Sequence, residues 1–215
     1  MKSSLSIEQT KEMMIFVSKH IIKKKDELNK ADKVLGDGDH GKAMTRGFEA
    51  VITKLENEQF ADLKNLLRYI GNVLLDSVGG AAGIIFGTLF RSGSKGITNT
   101  LILDSSEFSN FLGHAVEAIK LRGNVKIGDK TMLDALGPAS KIAAESIDLP
   151  IAASMKKASE VAYKGMESTK SIPARIGRAK ILGDRSIGHP DPGAISTYYI
   201  LKYMSDYVNK AELND

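Results

Sequence analysis

Apolar residues recur every three or four positions along most of the chain, which is the spacing of amphipathic helices. The first such pattern begins at Ser6-Ile7-Glu8-Gln9, where a Ser three residues before a Gln predicts a capping box. Its apolar positions keep helical spacing as far as Leu28, so we expect one long first helix. Further helices are predicted after His40, over residues 61–78, from Asp104 with Glu107 to Gly123, and over residues 129–146, 150–169 and 193–209.

Two segments depart from the amphipathic pattern. Residues 81–90 are apolar nearly all round and predict a buried element, whereas Thr98 to Leu103 is the one short strand candidate. No long Pro-, Ser- or Gly-rich linker divides the chain, and no internal repeat stands out. The pattern therefore predicts an all-α fold in which residues 1–215 form a single domain.

The amino-acid composition argues against several classes of protein, including thiol enzymes, membrane proteins and nucleic-acid-binding proteins. Of the 215 residues 42% are hydrophobic and only 6% aromatic, with no Trp, which suits a core of packed helices. Without cysteine there is no disulfide and no thiolate chemistry. The N-terminus reads as an amphipathic helix rather than a secretory signal, and no window approaches a membrane span, so we expect a cytoplasmic protein without membrane partners. The net charge of +4 lies along solvated helix faces, and no nucleic-acid partner is expected.

The most unusual stretch is an acidic, glycine-rich loop before the second predicted helix. Asp32, Asp37 and Asp39 lie within eight residues, and like charges held so close require a counter-cation or raised pKa values. Carboxylate oxygens are hard ligands that suit Mg²⁺ or Ca²⁺ rather than zinc. The alternative, an Asp/Gly-rich surface turn, stays open on this segment alone.

Two familiar motifs are excluded here. Gly36 to Lys42 matches the spacing of a P-loop, but Ala43 stands where a Mg²⁺-binding hydroxyl is needed, and a polar, helix-like segment precedes it instead of an apolar strand. An EF-hand loop starting at Asp37 would need Gly at its sixth position and Glu at its twelfth. Those positions hold Lys42 and Phe48.

Four other segments are unusually polar or glycine-rich. Ser77 to Gly83 predicts a helix start whose amides could bind phosphate, and the alternative is close packing between helices through small residues. Gly128 to Asp134 predicts another capped helix start, and the alternative is an ordinary cap without a ligand. Arg175 to Lys180 places three cations in a loop, suited to anionic oxygens or simply solvated. Gly183 to Gly193 is a rigid loop in which Asp191 and Pro192 form an N-cap and first helical position. Gathered at one end of a bundle, these segments predict a Mg²⁺–nucleotide site without a P-loop.

The order of these motifs resembles that of the dihydroxyacetone kinase nucleotide-binding (L, or DhaL) subunit family, over about residues 5 to 210. The resemblance implies an up-and-down barrel of about eight antiparallel helices with the nucleotide at one end. It implies that Asp32, Asp37 and Asp39 bind Mg²⁺ and that Arg178 stabilises phosphate charge in catalysis. The ADP/ATP contacts that it implies are His40, Gly41, Lys42, Ala43, Gly79, Gly80, Gly123, Met132, Arg178, Asp191, Pro192 and Gly193.

The resemblance also implies a reaction and partners. ADP is kept as a bound cofactor, and a phosphocarrier (M-type) subunit fed by phosphoenolpyruvate rephosphorylates it. The ATP so formed phosphorylates dihydroxyacetone (glycerone) on a K subunit, and an L subunit can also contact a transcription factor. Many relatives carry Asn and Ser where this chain has Ala43 and Ala82. A subunit of an erythrulose-type tetrulose kinase using exchangeable ATP, or a nucleotide-loaded regulatory protein, therefore stays as the alternative.

Overall fold

The computed structural model of the protein describes residues 2–211, and helices account for most of that range. Two three-residue strands, β1 (Ser4–Ser6) and β2 (Ile102–Asp104), pair antiparallel with Leu5 opposite Leu103. Short 3-10 turns cover Ser94–Gly96, Thr169–Ser171 and Arg178–Ser186. The α-helices are α1 (Ile7–Ile22), α2 (Lys25–Leu35), α3 (His40–Glu56), α4 (Leu63–Val78), α5 (Gly80–Gly93), α6 (Ser105–Gly123), α7 (Leu133–Ala144), α8 (Ile151–Ser168) and α9 (Pro192–Ala211).

The long helices follow one another around a common core. Each of α3 to α9 packs on its predecessor in the chain, α1 packs on α3, and α9 closes the ring by packing on α1. The connecting helix α2 lies against α3 and α9. Since sequential helices joined by short loops pack antiparallel, the starts of α3, α5, α7 and α9 gather at one end. The strand pair lies at the opposite end, and the all-α expectation is confirmed.

Sequence-coded caps begin several of these helices. The Ser6 hydroxyl accepts the Gln9 amide at 3.2 Å while the Gln9 side chain accepts the Ser6 amide at 3.0 Å, which is the predicted capping box. Asp104 caps α6 by accepting the Glu107 amide at 2.9 Å. The Glu107 carboxylate does not return that bond; it accepts the amides of residues 98 and 99 instead.

The expected first helix is in fact two. The helix predicted to run to Leu28 ends at Ile22, where the Lys24 amide bonds the Ile21 carbonyl at 2.9 Å, and α2 starts at Lys25. Ile21 and Leu28 are both fully buried and seven residues apart. That spacing fits a continuous helix and a restarted one equally well, so the pattern could not show the break.

The structure also differs from the expectations for the apolar segment 81–90 and for the strand candidate that follows it. The segment predicted to be buried all round becomes α5, but Ala81 and Ile84 are exposed near its start. The strand candidate Thr98 to Leu103 forms β-structure only from Ile102, and its partner β1 carries no alternating signal because it is three residues long. Among residues 2–211, no helix has the combination of length and apolarity that crossing a membrane requires.

Candidate functional site

A cavity of about 520 Å³ opens at the end where α3, α5, α7 and α9 begin. Its walls come from five separate stretches of the chain, and each stretch includes part of a segment that the sequence singled out. Every predicted site residue except Gly41 and Lys42 lines it. The predicted residues on its walls are Asp32, Asp37, Asp39, His40, Ala43, Gly79, Gly80, Gly123, Met132, Arg178, Asp191, Pro192 and Gly193.

Three carboxylates converge on one side of the cavity. Asp32 lies in the last turn of α2, and Asp37 and Asp39 follow in the loop to α3, with one oxygen of each within 4.8 Å of the others. Asp32 Oδ2 accepts the amides of Gly38 at 2.9 Å and Asp39 at 3.0 Å, which folds the loop over the end of α2. Three clustered hard oxygen donors fit Mg²⁺ or Ca²⁺.

Arg178 reaches this cluster from the long loop that precedes α9. It begins the 3-10 turn that follows Gly177, and its guanidinium forms an ion pair with Asp37. Both side chains are exposed at the cavity mouth. The pairing places an exposed, permanently charged donor beside the carboxylates, where it can also meet an anionic ligand.

His40 joins two of the helix starts. Its Nε2 lies 2.8 Å from Ser196 Oγ, and the ring also hydrogen-bonds the Pro192 backbone, so the first turns of α3 and α9 are held together. Burial lowers the pKa of His40, and the neighbouring Asp32 charge offsets only part of that effect. The imidazole is therefore uncharged at neutral pH.

Gly41 and Lys42 lie behind the cavity wall. A Cβ at Gly41 would come 2.0 Å from the Lys25 carbonyl oxygen, so this glycine lets α3 pass close to α2. The Lys42 amide donates to Asn29 Oδ1 at 3.1 Å, while its side chain is exposed. In the structure both residues shape the loop rather than the cavity surface.

The start of α5 supplies positive potential in the same cavity as the carboxylates. Gly79, with φ of 77°, precedes α5 and has no side chain to cap the first amides. Helix N-termini carry partial positive charge and unbonded N–H groups, which bind phosphate. The predicted phosphate-binding role of Gly79 and Gly80 fits this geometry.

Sequence reasoning missed Arg46, which also lines the cavity. Its Nε donates to the Ser77 carbonyl at 2.7 Å and its guanidinium also bonds the Val78 carbonyl, so it caps the C-terminus of α4 and holds the turn at Gly79. Arg46 lies one helical turn after Ala43, so helical spacing from that predicted residue was the available signal.

The inner wall is apolar and was also missed. Ile85 and Phe86 of α5, Ile119 of α6 and Val125 line it beside the predicted Met132. Such a surface suits a planar ring buried by stacking and van der Waals contact. Helical periodicity assigns these side chains to the core, and it does not distinguish a core position from a cavity wall.

Asp191 has an unusual environment at the start of α9. Burial raises the pKa of its carboxyl to about 7. The Ala194 amide, which donates to this carboxylate at 2.8 Å, lowers the pKa, and the charge of Asp134 raises it. Lys130 lies on the other side and partly offsets the effect. The predicted N-cap is thus present, and it holds a proton over part of the neutral range.

Comparison with known proteins gives consistent matches. Residues 34–206 match the DAK2 domain family. The chain is 36% identical over 176 residues to the PEP-dependent dihydroxyacetone kinase ADP-binding subunit DhaL of Escherichia coli, covering 81% of this chain and 84% of that protein. It is 31% identical to the L-erythrulose 1-kinase of Mycolicibacterium smegmatis over 86% of this chain but only 33% of that longer protein.

The fold also matches a solved structure. The dihydroxyacetone kinase of C. freundii superposes with a TM-score of 0.72 at 22% identity, covering 96% of this chain and 35% of that one. The same enzyme has been solved in complex with AMP-PNP and Mg²⁺, and that form gives a TM-score of 0.69. The chain thus spans about a third of the solved kinase.

The raised pKa of Asp191 predicts a pH-dependent stability. Its folded-state pKa of about 7 exceeds the ordinary 3.8, so its protonated form stabilises the fold fully below pH 3.8, and that contribution is lost as pH rises to about 7. Asp191→Asn keeps a capping side chain without this titration. Relative to wild type, its free energy of unfolding should rise by about 2 kcal/mol between pH 5 and pH 8.

Urea titrations of the two ligand-free proteins at both pH values measure this difference. Other titrating groups are common to both proteins and cancel. A stability difference that does not change with pH would show that Asp191 is ionised throughout this range.

Proposed function

The chain belongs to the DAK2 domain family, and we propose that it is the ADP/ATP-binding L subunit of a phosphoenolpyruvate-dependent dihydroxyacetone kinase. The relative from Escherichia coli that carries this name aligns with most of both chains. We further propose that residues 1–215 form one such domain in the cytoplasm, which accords with the single buried core that α1 to α9 share.

One observation carries the proposal. The cavity is lined by three clustered carboxylates, by Arg178, which pairs with one of them, and by the uncapped start of α5. A cation site beside an anion site is what a Mg²⁺–nucleotide requires, because the metal needs oxygen ligands and the phosphates need donors. An ordinary helix connection has no need of this division of charge.

We assign the metal to Asp32, Asp37 and Asp39. Bound there, Mg²⁺ would neutralise charge on the transferring phosphates. Asp32 has a second task, because its Oδ2 holds the loop amides and so fixes where the other two carboxylates point. The remaining cavity residues would bind phosphates through amides and the base through the apolar wall.

We assign charge stabilisation during transfer to Arg178. Phosphoryl transfer needs little covalent help from a protein, so positioning and electrostatics do most of the work. Arg178 is exposed at the mouth and paired only with Asp37 among the contacts of its side chain in residues 2–211. It can exchange that partner for a phosphate oxygen without breaking a buried network.

One of the relatives supports a four-carbon ketose as an alternative substrate. The chain is also 31% identical to an L-erythrulose 1-kinase, in which the matched part is a third of the protein. A four-carbon ketose held by the K subunit is therefore the alternative substrate. The ketose would be bound by that partner, so this chain's cavity does not discriminate between the two.

The donor is tested by reconstitution with the K-type partner. We expect turnover with a phosphoenolpyruvate-driven phosphocarrier and slow turnover with free ATP, because ADP should remain bound through many cycles. Ketose phosphate is measured with each donor. Faster turnover on free ATP alone would make this an ATP-exchanging subunit. Nucleotide binding without any transfer would favour a regulatory role, with a transcription factor as partner.

The cavity mouth also offers a surface for the K-type partner. Ile181, in the turn that Arg178 begins, is 86% exposed, and Leu121, two residues before Gly123, is 83% exposed. Leu121 is two residues from Gly123 and Ile181 is two residues from Ala179, and both Gly123 and Ala179 line the cavity. The ketose must reach this mouth to receive a phosphoryl group, so we propose that the K subunit covers it.

Ile181→Glu tests this docking surface. It should raise the concentration of K subunit needed for half-maximal turnover by about tenfold or more, because a charge would be buried in the interface. Mg–ADP affinity should be unchanged. Ile147→Glu is the matched control, because Ile147 is 49% exposed and lies beyond the C-terminus of α7. The 12 residues of α7 separate it by about 18 Å from the end of the helix that lies at the cavity. Equal behaviour of the two variants would place the partner elsewhere.

A further inference from the structure

Lys130 occupies a position that a lysine rarely takes. It lies in the turn between α6 and α7, is only 2% exposed, and has a left-handed backbone with φ of 63°. That conformation costs a non-glycine residue about 1 kcal/mol or more, so the surrounding contacts must hold it there. The side chain is turned into the protein instead of toward solvent.

The buried ammonium joins the two ends of one loop. Lys130 Nζ donates to the His189 carbonyl at 2.6 Å and to the Thr169 carbonyl. Residues 170–188, here called the arginine loop, leave the end of α8 at Thr169 and return at His189 before α9 begins. The arginine loop carries five cations, which are Lys170, Arg175, Arg178, Lys180 and Arg185.

Backbone bonds around the ammonium complete the base of the arginine loop. The Gly188 amide donates to the Lys170 carbonyl at 2.7 Å, and the Asp191 amide donates to Thr169 Oγ1 at 3.0 Å. The Arg175 amide donates to the Asp129 carbonyl at 3.2 Å, beside Lys130. The loop is therefore fastened at its base, and farther along it Arg178 pairs with Asp37.

The turn that presents Lys130 is itself rigid. The Asp134 carboxylate accepts the amides of Gly128 at 2.6 Å and Thr131 at 2.7 Å, on either side of Lys130. Asp129 accepts the Lys126 amide at 2.8 Å. An anchor on such a platform keeps its position when the arginine loop moves.

Burial of the Lys130 ammonium costs free energy, and nearby carboxylates offset part of that cost. Desolvation lowers the pKa of Lys130, and the charges of Asp191 and Asp134 counter the effect. Removing the lysine would leave two buried carbonyls drawn together without a donor, which is unfavourable. The loop ends would then be held by the Gly188 and Asp191 amide bonds without the ammonium, and they should separate more readily.

We propose that Lys130 is a positioning residue that closes the base of the arginine loop and thereby sets the reach of Arg178 into the cavity. The catalytic part of this inference rests on the proposed phosphoryl-transfer function. The anchoring part concerns the fold alone and is measured without nucleotide or partner.

Hydrogen exchange of the full-length protein tests the anchor. Lys130→Met removes the donor at similar size, and amides of the arginine loop together with Asp191 should exchange about tenfold faster or more, with α1 to α5 unchanged. Lys130→Arg should restore much of the protection. Lys11→Met is the matched control, because Lys11 is 7% exposed and donates to the Glu58 carbonyl at 3.2 Å at the opposite end.

Kinetics with the K-type partner test the positioning. Lys130→Met should lower kcat about tenfold or more and change the Kd for Mg–ADP less than that, because Lys130 lines the cavity but its ammonium bonds two loop carbonyls. Lys130→Arg should recover turnover. If Lys130→Met does not fold, as judged by circular dichroism, Lys130→Gln receives the same measurements.

The outcomes separate the two proposals. Unchanged exchange in the arginine loop, or an equal change in Lys11→Met, overturns the anchor. Faster loop exchange with unaltered kcat overturns the positioning role. Faster loop exchange in a protein whose wild type transfers no phosphoryl group with any partner would support the anchor while refuting the proposed function.

Discussion

Repulsion among the Asp32, Asp37 and Asp39 carboxylates is the constraint on which the rest of this site depends. Oxygens of like charge within 4.8 Å of one another must be compensated, and the protein does so in two ways. Backbone amides of Gly38 and Asp39 bond Asp32, and Arg178 pairs with Asp37. Both compensating groups leave carboxylate oxygens facing the cavity, which is where a divalent cation would complete the balance.

The helical ring makes this arrangement possible at one end of the molecule. Alternation of direction brings the starts of α3, α5, α7 and α9 together, so their positive ends surround the negative cluster. Contacts made away from the cavity surface are also needed for this convergence. Gly41 lets α3 approach α2, and His40 ties α3 to α9. The arginine loop then closes the site from the base that Lys130 fastens.

The helix caps and the aspartate cluster could be predicted from the sequence because they depend on residues close together in the chain. Features that depend on packing between distant segments could not. Capping residues such as Ser6 and Asp191, and the clustered aspartates, act within a few positions, so their roles are legible in the chain. The helix break between Ile21 and Leu28 accompanies contacts of α2 with α9, about 170 residues away, which local periodicity does not encode. Arg46 and Lys130 escaped notice because their partners are carbonyl groups, which no side-chain pattern reveals.

The central claim is that the aspartate cluster holds a cation with a nucleotide, and calorimetric titration of Mg–ADP into nucleotide-stripped protein tests it most directly. Asp37→Asn keeps size and hydrogen bonding but removes one charge, so the Kd should rise about tenfold or more, which is about 1.4 kcal/mol, with helical content unchanged. Asp148→Asn, an exposed carboxylate at the opposite end, should bind like wild type. An Asp37→Asn protein with wild-type affinity for Mg–ADP would contradict the account.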